Sequence, residues 1–134
     1  METLFELKTA EQFDISVFER MKKSAENVSV NIDTVKRAQV IVLLTANEVE
    51  YSAVISDPLT EGKTEESAFL EKITAENNTK ISYALCMWKD SCIDVPSFAF
   101  RKMMVELDPE NNNTMIFVQT AKGISAVKLS NIMK

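Results

Sequence analysis

The sequence contains no histidine. That absence excludes Ser-His-Asp and Cys-His catalysis, histidine-ligated metal and histidine pH switches. Glycine is confined to Gly62 and Gly123, whereas close approach of backbone to a ligand often uses glycine. The two cysteines, Cys86 and Cys92, are too few for a disulfide framework and fit a reduced, cytoplasmic setting. The sequons at Asn27, Asn77 and Asn112 then carry no meaning. No apolar run approaches the roughly 20 residues of a membrane span. The N-terminus lacks the basic region and long apolar stretch of a signal peptide. Basic residues are interspersed with acids, and the clusters Lys22-Lys23, Lys36-Arg37 and Arg101-Lys102 are small. With a net charge of −5, binding to nucleic acid through its phosphates is disfavoured.

What is present is a chain of 134 residues, 46% apolar, with no linker and no repeat. This length predicts a single domain, 1–134, with a real core. Phe13, Val17, Phe18, Met21 and Ala25 recur at helical spacing and predict an amphipathic helix over about Glu11 to Glu26. Val40 to Thr45 is continuous and rich in β-branched residues, as expected of a strand buried on both faces. A short polar turn joins it to a second strand, Tyr51 to Ser56, which requires an antiparallel hairpin. Asp57 to Gly62 is a loop by its turn residues.

Thr64 is a good N-cap for a second helix, with acids in its first turn. Ala68, Phe69, Leu70 and Ile73 are expected to face inward, and Asn77-Asn78 to end the helix. Ile81 to Trp88 is a third strand. Pro96 suits the first position of a third helix, along which Phe100, Met103, Met104 and Leu107 form one buried stripe. Thr114 to Gln119 and Ile124 to Leu129 make a second hairpin, and Ser130 to Lys134 a last helical turn. A mixed sheet with helices on both faces is the layer solution for that order. Met87, Trp88, Met103, Met104, Met115 and Phe117 are many large apolar groups for one small core. Two uses are open for them, core packing and a subunit interface.

This order, together with Pro96-Ser97-Phe98-Ala99-Phe100-Arg101 and Thr64-Glu65-Glu66, resembles the cytidine deaminase fold. The family pairs a helix beginning Cys/His-Ala-Glu with a later helix opened by Pro-Cys-x-x-Cys. The interval from Glu66 to Ser97 accommodates the helix, strand and loop that the family requires. The resemblance begins near Val40 and implies a three-layer α/β/α domain with a five-stranded mixed sheet. It also implies a homo-dimer or homo-tetramer.

In the family three side chains hold Zn²⁺ and a glutamate moves protons. The metal lowers the pKa of its bound water from 15.7 to about 7, roughly 12 kcal/mol of help in making hydroxide. Carried over residue by residue, the metal positions fall on Thr64, Ser97 and Phe100. None of the three is a usual zinc ligand. The proton-shuttle position alone is kept, as Glu66. Cys86 and Cys92 supply at most two ligands in another geometry. The family's ribose-binding Asn-x-Glu is missing from the stretch Ala53 to Asp57. Asp57 and Glu61 have no supporting spacing.

Plainer readings stand beside these. Glu66 serves as a solvated partner of the helix dipole. Ser97 serves as a helix cap. Phe100 is core, or its ring fills the volume of the lost metal and substrate base. Three functions therefore remain open. The first is an inactive deaminase-like protein, without zinc, that is structural or binds a small nucleoside-like ligand. The second is a zinc-independent nucleoside or nucleoside-analogue deaminase or hydrolase using Glu66 with Ser97 or Asp94. The third is an α/β protein-interaction domain.

Overall fold

A computed structural model describes residues 10–11, 13–29, 38–56, 62–121 and 123–133. Of the expected loop Asp57 to Gly62, residues 57–61 lie outside them, as do the Lys36-Arg37 cluster and the candidate groups Asp57 and Glu61, while Gly62 already opens a helix. The elements run β1 (Ala10–Glu11), α1 (Ile15–Ser29), β2 (Ala38–Thr45), β3 (Glu50–Ser56), α2 (Gly62–Ala75), β4 (Ile81–Trp88), β5 (Ile93–Asp94), α3 (Phe98–Leu107), β6 (Met115–Thr120) and β7 (Gly123–Lys128). Short 3₁₀ turns cover Pro109–Asn113 and Leu129–Ile132.

The sheet order is β1-β7-β6-β4-β2-β3. β2 pairs antiparallel with β3 and β4, and β6 with β7. β4 and β6 are parallel, which makes the sheet mixed as expected. Two strands of two residues each join the five expected ones. β1 lies on β7, and β5 lies antiparallel on β4. Two residues are too few to show a period of two, so neither was visible in the sequence.

Every residue of β2 is buried. Ile41 and Leu43 face one core, and Val40, Val42 and Leu44 face the other. A strand can be apolar throughout only if both of its faces are covered. α1 covers one face through Phe18, Met21 and Ala25. α2 and α3 cover the other through Phe69, Leu70, Ile73, Phe100 and Met104. Each of the larger of these side chains contributes about 1.5–3 kcal/mol of burial.

Several expectations need correction at the element ends. α1 begins at Ile15, not Glu11, because Asp14 caps it by accepting the Ser16 N–H at 2.9 Å. Ala68 is exposed rather than inward, since the apolar stripe of α2 is centred on Phe69, Leu70 and Ile73. Met87, Met104 and Phe117 are fully buried in this chain, so they belong to its core. Gly123 closes the β6–β7 hairpin at φ 118°, where a side chain would be strained.

Candidate functional site

α2 and α3 both begin at the end of the sheet where β3 and β4 finish. Ser56, the last residue of β3, pairs with Ala38, and Trp88, the last residue of β4, pairs with Gln39. The Glu66 and Ser97 side chains meet there. Ser97 Oγ donates to Glu66 Oε2 at 2.8 Å. The same oxygen accepts the Phe100 N–H at 3.1 Å, which makes Ser97 the N-cap of α3. Pro96 therefore precedes the cap instead of opening the helix. α2 likewise starts at Gly62, so Thr64 lies within its first turn and is not its cap. The side chain of Thr64 is outside the described part.

Glu66 is 1% exposed, which overturns its reading as a solvated partner of the dipole. Burial pushes its carboxyl above the ordinary range. The hydrogen bond from Ser97 opposes that shift, and the neighbouring charge of Glu65 adds to it. Asp94, the other partner considered for Glu66, is turned elsewhere. Its carboxylate accepts from Trp88 Nε1 at 3.0 Å and from the Val95 N–H at 2.8 Å.

Phe100 is fully buried and stacks on Phe69, with ring centroids 6.3 Å apart. Cys86 is also fully buried on this side of the sheet, and burial pushes its thiol well above its usual range. Cys92 is exposed in the loop after β4. Its thiol is raised through the Asp90 carboxylate, which lies within hydrogen-bonding reach.

Arg101 holds the other flank of the α3 N-terminus. Its Nε donates to Pro96 O at 3.0 Å, and its Nη1 donates to Ile132 O. The guanidinium also lies over the exposed Phe98 ring, 5.6 Å from its centre. This arginine thus ties the start of α3 to the last turn of the chain.

A site for Zn²⁺ needs three or four donors of nitrogen, thiolate or carboxylate type. At the described positions there is one carboxyl, one hydroxyl already engaged twice and one phenyl ring. That set does not fit the metal. Among the described residues no cluster of three Cys, Asp or Glu side chains is placed to hold one. On β3, where the family carries its ribose contacts, Ala53 and Ile55 pack into the core.

Two polar residues escaped the sequence reading. Gln39 is 2% exposed, and its Oε1 has no hydrogen-bond partner. Such an orphaned acceptor costs about 1–3 kcal/mol. Its one signal was an amide side chain just ahead of the apolar run of β2. Asn111 was read only as part of a helix stop. In fact its Oδ1 accepts the Ile81 N–H at 2.8 Å, while its Nδ2 donates to Thr79 O and Met104 O at 2.9 and 2.8 Å. Away from the site, at the opposite end of β4, Asn111 also lines a cleft of about 420 Å³ with Lys80, Glu110 and Tyr83. The Lys80 and Glu110 charges there are paired at 2.6 Å.

This arrangement of mixed sheet, flanking helices and two convergent helix N-termini is the cytidine deaminase-like fold. The chain is similar to the cytidine deaminase from Mycobacterium leprae, with a TM-score of 0.58 and 14% identity over 81% of this chain and 92% of that one. The enzyme from Mycobacterium tuberculosis matches with a TM-score of 0.62 and 8% identity, covering 86% and 92%. A point mutant of that enzyme matches with a TM-score of 0.64 and 10% identity, covering 90% and 95%. At such identities the likeness establishes the fold. No family model matches the chain, and no curated protein matches it by sequence. Among the described residues, no helix is long and apolar enough to cross a membrane.

Proposed function

We propose that this chain is a cytidine deaminase-like protein without the family's zinc chemistry, and that it is structural or binds a small nucleoside-like ligand. One observation carries the reading. The helix start that would supply two ligands instead places a capping hydroxyl on Glu66 and a phenyl ring in the core. Without the metal, about 12 kcal/mol of help in forming hydroxide is missing, and no pairing of a serine with a glutamate replaces it. On this reading the protein takes no cofactor. It acts in the cytoplasm as a homo-dimer or homo-tetramer, with neither nucleic acid nor membrane as a partner.

The test is elemental analysis of the purified protein together with assays on cytidine and deoxycytidine. The reading requires less than stoichiometric zinc and no turnover. One zinc per chain would refute the account of the site. Deamination that disappears in Glu66→Gln would replace it with a live, zinc-independent enzyme. Light scattering on the same sample measures the oligomer.

A further inference from the structure

The sheet ends in two unlike edges. At one stands β1, two residues long. At the other stands β3, seven residues long. Its pairing with β2 runs unbroken from Ala38–Ser56 to Leu44–Glu50, with no bulge. Among the described residues no strand lies on its outer side. An edge strand presents a row of unpaired N–H and C=O groups, and proteins blunt such edges by shortness, lysine, proline, a bulge or an inward charge. β1 is blunted by shortness. β3, Glu50-Tyr51-Ser52-Ala53-Val54-Ile55-Ser56, has no lysine, proline or glycine, and its one charge stands at its first residue. Tyr51, Ala53 and Ile55 pack toward α2 and α3, and Val54 packs toward α1. Both cores therefore continue up to this edge.

We propose that β3 is the contact surface between two copies of this chain, which pair antiparallel through their β3 backbones into one continuous sheet. The occupant follows from the strand's own sequence. An antiparallel pair of identical strands has a two-fold axis, so the contact closes at two copies. With the axis at Ala53, Glu50 of one copy stands opposite Ser56 of the other, Tyr51 opposite Ile55, and Ser52 opposite Val54. This register pairs every residue of the strand, and a shift in either direction pairs fewer. No like charges meet, because the two Glu50 carboxylates fall at opposite ends of the ladder, about 20 Å apart at the rise of a strand. Tyr51 beside Ile55 is an aromatic and β-branched cross-strand pair, a combination that stabilises antiparallel sheets. The inference rests on the homo-oligomer reading above and adds which surface joins the copies.

The test is light scattering on the full chain beside Ser52→Lys. Ser52 is exposed, so the change spares the core and sets a lysine on the edge, one of the devices that blunt such strands. The mass of the Ser52→Lys protein should be half that of the unaltered one, with an unchanged circular dichroism spectrum. Hydrogen exchange adds a readout that does not depend on the variant's folding. In the unaltered chain the β3 amides that point away from β2 should be protected. Their exchange at the rate of open amides overturns the proposal. An oligomer that Ser52→Lys folds into without loss of mass also overturns it, since the copies then meet elsewhere and the homo-oligomer reading stands. A monomer at every concentration of the unaltered chain overturns both.

Discussion

Ser97 Oγ donates to Glu66 Oε2 at 2.8 Å and accepts the Phe100 N–H at 3.1 Å, so one hydroxyl joins the starts of two helices. Loss of that oxygen uncaps α3 and leaves a buried carboxyl without its partner. Ser97→Ala should lower the unfolding free energy by about 1–2 kcal/mol, read from the denaturant midpoint. Ser97→Thr keeps the hydroxyl and should recover most of the loss. Equal midpoints for Ser97→Ala and the unaltered chain would show the contact to be without consequence.

Glu66 makes stability depend on pH with a definite sign. Its folded pKa is raised by burial, so the folded state holds the proton more tightly than the unfolded one. Stability contributed by the protonated group is full below the ordinary Glu value of about 4.3. It falls as pH rises from there through the folded pKa. Glu66→Gln removes that slope. Chemical denaturation of both proteins between about pH 4 and pH 7 should give curves that diverge upward in pH, with the glutamine variant the more stable at pH 7.

Asn111→Leu should destabilise the domain by about 2–5 kcal/mol. The substitution deprives the Ile81 N–H, Thr79 O and Met104 O of a shared partner within the structure. The entry of β4 and the exit of α3 depend on the same amide. Amide exchange at Ile81 should accelerate more than exchange within α1, which Asn111 does not touch.

The legible part of the chain was its apolar patterning. Val40 to Thr45 announced a doubly covered strand because neither face could be left wet. Ile81 to Trp88 matched β4 at both ends. Short-range polar chemistry was far less visible. The hydrogen-bond partner of Glu66 stands 31 positions away, and no local pattern encodes that distance. Gln39 and Asn111 look like ordinary polar residues until the elements around them assemble. Pro96 misled about the start of α3, since proline preference and serine capping compete over adjacent positions and the cap prevailed.

Phe100→Ala should cost about 3–5 kcal/mol through the cavity left beside Phe69. Phe100→Leu, which refills part of the space, should cost less. Thermal unfolding midpoints in the order unaltered, leucine, alanine bear this out. An alanine variant as stable as the original would mean that the ring fills nothing.

The buried ring at position 100 also bears on descent. On the reading proposed here, recovery of a metal centre would require new donors at several positions at once. Replacing Phe100 with a cysteine alone empties core volume in a domain whose entire margin is on the order of 5–15 kcal/mol. Each single step back is a loss for folding and, on its own, no gain for chemistry. If the proposed reading holds, a phenyl side chain settled in the core would let selection for stability keep a metal site from returning, acting as a ratchet.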